Sequence, residues 1–434
     1  MARSNFLSKS NATFASSLSR ITSCSNPAFD KVIKRAWSDP EMQKEVLTVL
    51  SALTKIIHER GGKESAVEYY ALLLSALNVD SEKKVAEAFL LKLVMTKALP
   101  NFVVQKTSGE ASKTIINVLK AALSGETFNT SLIKSVTSLL VSCLGYLLLA
   151  QDFDSWAVES TRHNYRVLLG LVAHEKPAIR KACHLSIVNI LTSSPGIIVG
   201  DILGSSHPSC HQTQEYLCSS IQDEAKQLTS LIKTSDANCI RLLYLLDLLA
   251  SVIHVFPTRN IKAASECILD LTEFPNKMVI LKVYTIINNL FDARPLPSRL
   301  PVSLAGRLLT ALHACKATAP AVLVAQVVGS GADVDTSELS LCTDVRLAWL
   351  LALQAGVAHL TRQTVSCLSD SSITTSADRS SPALFVRVSC DHLETLINLV
   401  LKEIDSTPMQ QLRDKMADLL LVIFSQDLVS KPEC

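Results

Sequence analysis

One group of residues carries the side chains that could bind a metal ion: His207, Cys210, His211 and Cys218. Imidazole nitrogen and thiolate sulfur are the ligands that zinc prefers, and structural zinc sites place them at short, regular spacings. Two residues separate His207 from the first cysteine and six separate His211 from the last, which matches no familiar zinc module. Pro208 also indicates a loop. We therefore predict no metal site here.

Three short motifs begin like catalytic signatures but are incomplete. Arg60-Gly61-Gly62-Lys63 resembles part of a phosphate-binding loop, but it lacks the earlier glycine, and Glu64 takes the place of the Ser or Thr after the lysine. His58-Glu59 and His174-Glu175 start like zinc-protease helices, but neither has a second histidine four residues after the first. No Gly-x-Ser-x-Gly element occurs. We predict a protein without enzymatic activity, cofactor or small-molecule substrate.

Basic side chains are the remaining candidates for binding. They fall into three short clusters: Lys31, Lys34, Arg35, Lys113, Lys120, Lys176, Arg180 and Lys181. Residues 1–217 hold 23 basic and 18 acidic side chains, whereas residues 218–434 hold 19 and 22. Such cations could bind RNA phosphates, although no aromatic residues alternate with them for base stacking. The alternatives are a solvated helix surface and, for Arg180, hydrogen bonds to the turn of the next repeat.

The elements that position these residues are helices. Only 13 glycines, 15 prolines and 5% aromatic residues occur in 434 residues, which disfavours nucleotide-binding α/β folds and β-sandwiches. From Glu41 to His58 the apolar residues recur every three to four positions, so one face is buried. Asp39-Pro40 precedes this helix and Gly61 follows it, as start and stop signals. A second helix is predicted at 63–78.

A repeat accounts for the rest of the chain. Residues 174–191 combine a polar turn, the pair Ile179-Arg180 and a small residue, Ala182, as in the helix of a HEAT repeat, where a small residue lets the next helix approach. Weaker echoes begin at Val85, Val136, Ile240, Val279 and Val345. We predict an all-α fold, a HEAT/armadillo-like α-solenoid of about eight irregular helix pairs without convincing strands. Residues 192–209, rich in Ser, Gly and Pro, are predicted to be an inserted loop.

The domain organisation follows from composition. We predict a Ser-rich, disordered tail at 1–25, the helical repeat array at 26–365, a flexible Ser/Thr-rich loop at 366–382 and a C-terminal helical pair at 383–434. The twelve cysteines form no Cys-x-x-Cys pair and are predicted to be free and buried rather than a disulfide framework. No segment is predicted to span a membrane.

Six segments together resemble the N-terminal region of the ribosomal RNA processing protein 12 family. They occur in the family's order and at similar separations: 43–47, 61–65, 68–70, 151–156, 174–182 and 290–295. The resemblance covers residues 14–365. It implies a non-enzymatic nucleolar HEAT-repeat protein that acts on precursors of the small ribosomal subunit and in their export through nuclear pores. Relatives are much longer, so we expect a fragment, an isoform or a truncated gene model.

The resemblance implies pre-ribosomal RNA, ribosome assembly factors and nuclear transport proteins as partners. We therefore predict a scaffold located in the nucleus and nucleolus. Two alternatives remain. The first is a nuclear transport adaptor that contacts only proteins, which the near-neutral charge favours. The second is a mitochondrial helical-repeat protein, because residues 1–29 lack acids and resemble a transit peptide.

Overall fold

The architecture comes from a computed structural model of the 434-residue chain. It describes residues 40–79, 82–124, 130–194, 198–199, 202–203, 206–231, 238–292, 300, 302–314, 341, 344–356, 359, 398, 401 and 410–425. The described helices fall into two compact units that divide between Ser209 and Cys210. Regular structure in these residues is helical apart from one short strand pair, so the predicted all-α class is confirmed.

The described part of the first unit contains seven α-helices. They are α1 (Pro40–Glu59), α2 (Ala66–Leu77), α3 (Lys84–Lys97), α4 (Asn101–Ser124), α5 (Thr130–Leu149), α6 (Glu159–Leu169) and α7 (Pro177–Ser193). A short 3₁₀ helix, Asp154–Ala157, precedes α6. Strands β1 (Ile198–Val199) and β2 (Ile202–Leu203) pair in antiparallel register inside the segment predicted to be an inserted loop.

The second unit contains the remaining described helices. They are α8 (Cys210–Leu231), α9 (Ile240–Val252), α10 (Thr258–Leu269), α11 (Lys277–Asp292), α12 (Val302–Ala314) and α13 (Gln410–Ser425). A 3₁₀ helix, Ile253–Val255, extends α9. Residues 344–356 are also helical, and Trp349 Nε1 there donates a hydrogen bond of 2.9 Å to the Leu312 carbonyl of α12.

Helices in each unit contact their second neighbours in the chain, which is the defining contact pattern of a helical repeat. In the first unit, α1, α3, α5 and α7 pack successively as an odd layer, and α2, α4 and α6 as an even layer. In the second unit, α9 contacts α11, while α8, α10 and α12 follow one another. The sequence echoes at Val85, Val136, Ile179, Ile240 and Val279 all fall on odd-numbered helices. The sequence signal therefore marks one helix of each hairpin.

The first hairpin confirms the predicted start and stop signals. The apolar stripe of α1 is buried: Val46, Val49, Leu50, Leu53 and Ile57. The chain then turns at Gly61, whose φ of +67° is a left-handed conformation that favours glycine. Ser65 caps α2 by accepting a hydrogen bond from the Glu68 amide.

The close approach between α5 and α7 lies elsewhere than predicted. Ile179, Cys183 and the later apolar residues of α7 are buried as expected, but Ala182 is only half-buried. A close contact lies between Gly145 and Ser186, because a Cβ at Gly145 would overlap Cβ and Oγ of Ser186. A glycine on the neighbouring helix, which the sequence interpretation did not single out, therefore permits a close contact between α5 and α7.

Several predictions lie outside the described residues. They are the tail at 1–25, the loop at 366–382 and most of the C-terminal pair at 383–434, of which α13 is described. Six described cysteines are free and buried, as predicted: Cys143, Cys183, Cys210, Cys218, Cys239 and Cys267. Among the described helices, none combines the length and apolar character that crossing a bilayer requires.

Candidate polyanion-binding surface

Helix α4 separates its apolar and basic residues onto opposite sides. Its buried side packs against α2, α5 and α6 and contains Val104, Ala111, Ser112, Ile115, Ile116, Val118, Leu119 and Ala122. The predicted binding residues Lys113 and Lys120 lie on the exposed side, and Lys106 continues their line by one further heptad. Seven residues advance a helix by about 10 Å and return it to nearly the same azimuth. The three ammonium groups therefore follow one line along α4.

Two residues that the sequence interpretation missed complete this line. Phe102 is 61% exposed and precedes Lys106 by one helical turn. Gly109 lies between the lysines, and a Cβ there would meet no atom within 4 Å, so the helix backbone is open to approach at that point. We call Phe102, Lys106, Gly109, Lys113 and Lys120 the α4 stripe. The heptad spacing of the lysines was visible in the sequence, whereas the exposure of Phe102 was not.

The α4 stripe carries three lysines and no acid of its own. None of the described acidic side chains lies within ion-pair distance of its three lysines. Glu110 is the acid that α4 itself contributes beside them. On the neighbouring helix α6, by contrast, Arg162 and Arg166 both pair with Glu159, at 3.0 and 2.9 Å. Of the described lysine and arginine side chains on α4 and α6, those without an ion-paired described acid therefore lie on α4.

One nearby lysine has a structural role. Lys84 is only 3% exposed, and its Nζ donates hydrogen bonds to the carbonyls of Ala76 (2.9 Å), Leu77 (2.7 Å) and Val79 at the end of α2. Its Nζ also lies 3.5 Å from the buried carboxylate of Glu87. This lysine satisfies helix C-terminal carbonyls that would otherwise lack partners. It is therefore not available to a ligand.

The third predicted cluster lies at the start of α7, in the odd layer. Arg180 donates from Nη1 to the carbonyls of His174 (2.8 Å) and Glu175 (3.3 Å), so it holds the turn before its own helix. The Lys176 amide donates to His174 Nδ1 at 3.0 Å. Burial, together with nearby Lys176 and Arg180, lowers the pKa of His174. Only Lys176 and Lys181 therefore keep ammonium groups for a ligand at this position.

The eight predicted binding residues do not form one cluster. Lys113 and Lys120 share the even layer, while Lys176, Arg180 and Lys181 lie in the odd layer. Lys31, Lys34 and Arg35 lie outside the described residues. Of the described predicted residues, the lysines of α4 form the longer exposed line.

The histidines considered above as possible metal ligands make other contacts. The His207 ring packs edge-to-face on Trp156, with the centroids 4.6 Å apart, and its Nδ1 accepts a hydrogen bond from the Ser209 amide. Burial lowers the pKa of His207 to about 3. His211 Nε2 lies 3.2 Å from a carboxylate oxygen of Glu215. No group of three or more potential ligands occurs in the part of the chain that the structure describes.

The Gly61-Gly62 motif forms a closed helix-connecting turn. The Gly61 amide donates to the His58 carbonyl and the Gly62 amide to the Ile57 carbonyl, both at 2.9 Å. Their N–H groups are consequently engaged with α1 and are not directed at a phosphate. His58 and Glu64 close the turn through a contact of 2.7 Å between Nε2 and Oε1.

A comparison with protein families identifies the family of the chain. Residues 29–295 match the family described as RRP12-like, N-terminal HEAT repeats. The chain belongs to this family. The predicted HEAT-type α-solenoid is thereby confirmed, and the match covers α1 to α11.

Named relatives of the RRP12-like family show the same relationship. The chain is 32% identical to the RRP12-like protein of Gallus gallus over 309 residues and 32% identical to that of Homo sapiens over 311 residues. Each match covers 70% of this chain but only 22% of the relative. The chain thus spans about a fifth of the length of these relatives. A solved engineered protein aligns over 92% of the chain at 14% identity, but its TM-score of 0.33 carries no weight.

Proposed function

We propose that this RRP12-like chain is a non-catalytic scaffold in ribosome biogenesis, located in the nucleus and nucleolus, that binds precursor ribosomal RNA of the small subunit through the α4 stripe. The other helix faces hold assembly factors and nuclear transport proteins during maturation and export. Family membership supports the scaffold role. The observation that carries the RNA assignment is the line of three exposed lysines, none of which has an ion-paired acid among the described residues, with an exposed phenylalanine at its start.

The chemistry of the α4 stripe suits a single strand of RNA. Lysine ammonium groups bind phosphates as point charges, and their spacing along α4 lets an extended backbone contact them in turn. Phe102 offers a face on which one base can stack, which is typical of single-stranded recognition. Gly109 leaves the middle of the line without a side chain, so the strand can approach the helix closely.

The test is ultraviolet crosslinking of the tagged chain in cells, followed by sequencing of the attached RNA. We expect small-subunit precursor to be enriched, and Lys106→Glu, Lys113→Glu and Lys120→Glu together to abolish that enrichment. The matched control reverses three exposed cations of the second unit, Lys226, Arg259 and Lys262. Equal crosslinking by both triple variants would refute the α4 assignment.

Salt dependence separates phosphate contacts from stacking in purified protein. Each phosphate contact to a single strand contributes about 0.7 to the slope of log affinity against log salt. Changing the three lysines to alanine should therefore reduce that slope by about 2. Phe102→Ala should weaken binding by about tenfold without changing the slope.

A protein-only transport adaptor is the second candidate, favoured by the net charge of +2 over the whole chain. It predicts that assembly or transport factors co-purify with the chain while RNA crosslinks are absent. That outcome would overturn the RNA assignment and keep the scaffold role. Loss of both RNA and protein partners would overturn the scaffold role for this chain.

A further inference from the structure

Helices α8 and α10 run parallel, side by side, in the second unit. Near their start, Asn260 Nδ2 of α10 lies 3.3 Å from His211 Nδ1 of α8. Two turns later, Cys267 Sγ of α10 lies 3.7 Å from the Cys218 carbonyl oxygen of α8. Both contacts join residues 49 positions apart, so each step along one helix is matched by an equal step along the other. This register fixes which part of α8 is covered by α10.

The longer helix, α8, extends beyond the end of its neighbour. By the same register, the last residue of α10, Leu269, lies level with Ser220. Helix α8 continues from there to Leu231, which adds about three turns and about 16 Å. After Leu269 the chain enters a turn, in which the Leu271 amide donates to the Ile268 carbonyl at 3.0 Å. Helix α10 itself therefore does not continue along the last three turns of α8.

A cavity of about 570 Å³ lies along this extension of α8. One wall is α8 itself, from which Ile221, Ala225 and Thr229 line the cavity at intervals of four residues and so form one stripe. The other wall is the turn after α10, where Leu271 and Phe274 are only 3% and 6% exposed. The cavity is therefore a largely apolar groove with the length and direction of a short helix packed on α8.

Two charged side chains line this groove at different positions along it. Asp270 directly follows α10 and lines the near end. Lys226 lines the α8 wall more than one helical turn farther along. Neither side chain forms an ion pair with a residue that the structure describes, whereas Glu266, one turn before Asp270, pairs with Arg307 at 3.2 Å. A negative group at the near end and a positive group farther along favour a ligand with the opposite order of charges.

We propose that this groove docks an amphipathic helix of a partner protein, with the N-terminus of that helix at Asp270 and its axis continuing that of α10. An aspartate carboxylate is among the best acceptors for the free amides of a first helical turn, and the positive end of the helix dipole favours it. Apolar residues of the partner, spaced three or four apart, pack on the stripe of Ile221, Ala225 and Thr229. An acidic residue in its second turn pairs with Lys226.

This site deepens the scaffold role proposed above and rests on it, because it is a place where an assembly factor can bind. It belongs to the second unit, whereas the α4 stripe belongs to the first. Reversal of Lys226, one of the three control changes in the crosslinking test, should therefore weaken partner binding and leave RNA crosslinks unchanged. The docking test uses purified protein, so its failure would remove this site without affecting the crosslinking result.

The probe is a phage-displayed library of short amphipathic helices, varied on both faces and selected on the purified full chain. We expect the selected peptides to carry apolar residues three or four apart and an acidic residue in the second turn. In fluorescence anisotropy, Ala225→Arg should weaken binding of the best peptide by about tenfold or more, because the new side chain fills the groove. The matched control is Lys262→Glu, on α10 but outside the groove, which should leave binding unchanged.

A charge exchange tests the orientation of the docked helix. Lys226→Glu should weaken binding of the selected peptide by about fivefold. The same peptide with its acidic residue changed to lysine should bind this variant more tightly than it binds the wild-type chain. Asp270→Ala should also weaken binding by about fivefold, which corresponds to the loss of a typical helix N-cap.

Three results would overturn the proposal. The first is a selection that yields no binder, and the second is a peptide that binds the wild-type chain and Ala225→Arg equally. The third is self-association of the chain without peptide, measured by light scattering and abolished by Ala225→Arg, which would assign the groove to a second copy. Circular dichroism checks that each variant is folded. If Ala225→Arg fails to fold, the charge exchange at Lys226 decides.

Discussion

Replacing Gly145 with alanine tests how closely α5 and α7 approach each other. An added Cβ would overlap Cβ and Oγ of Ser186 and lie 3.4 Å from its Cα. Ser186 cannot move aside by rotating its side chain, because Cβ is fixed to the helix and Oγ donates to the Ala182 carbonyl at 2.8 Å. Relief therefore requires the two helices to separate along their buried contact.

The expected magnitude combines two opposing effects. Alanine is intrinsically better than glycine inside a helix by about 1 kcal/mol. Overpacking of a tight core contact costs about 1–3 kcal/mol, and the overlap here with Cβ is at the severe end. Gly145→Ala should therefore lower the free energy of unfolding of the first unit by about 1–2 kcal/mol. The sign of the change is the decisive observation, since propensity alone predicts stabilisation.

Hydrogen exchange on peptides from α5 and α7 is the suitable assay, because it measures local opening in a repeat protein that need not unfold in one step. Gly109→Ala is the matched control: its added Cβ would meet nothing within 4 Å, so it should stabilise α4. Adding Ser186→Gly to Gly145→Ala should recover part of the loss. If Gly145→Ala slowed exchange as Gly109→Ala does, the close contact inferred between α5 and α7 would be wrong.

Two further predictions concern buried ionisable groups. His207 has a pKa lowered from 6.5 to about 3, so protonation favours the unfolded state; the stability it confers is complete above pH 6.5 and declines as the pH falls. Between pH 7.5 and pH 5 the free energy of unfolding of the first unit, measured by urea unfolding, should fall by about 2 kcal/mol through this group. His207→Phe should remove this contribution, whereas the exposed-site control His163→Gln should retain it. An unchanged pH dependence in His207→Phe would contradict the assignment. Lys84→Met should cost about 3 kcal/mol because it leaves the Glu87 carboxylate and the last carbonyls of α2 without their partner. Lys55→Met, at an exposed pair, should change the unfolding midpoint little, and equal effects of the two changes would show that the Lys84 contacts contribute nothing.

Much of the helical framework was predictable from local patterns. The stripe from Val46 to Ile57, the proline at the first position of α1 and the glycine after its end specify a helix without reference to any other part of the chain. The echoes from Val85 to Val279 identify one helix in each hairpin for the same reason, since a buried face leaves a period of 3.6 residues in the sequence. The heptad spacing of Lys113 and Lys120 likewise placed both on one face.

Some residue roles depend on packing that a local sequence pattern does not record. Lysine is usually exposed to solvent, and only the packing of α3 against the end of α2 buries Lys84. For Arg180 the sequence left phosphate binding and a structural role open, and the structure shows its guanidinium hydrogen-bonded to the preceding turn. Phe102 would ordinarily be assigned to a core, and only the orientation of α4 exposes it.

The sequence by itself determined which segments are helical, which face of most helices is apolar and which family the chain resembles, because these properties are encoded within a few turns of helix. The tertiary structure alone decided which faces meet, as at Gly145 with Ser186 and at Cys218 with Cys267. An amphipathic period records that a face is buried but not what covers it. The identity of the neighbour depends on shape and hydrogen bonding between residues that lie about 40–50 positions apart in a two-helix repeat.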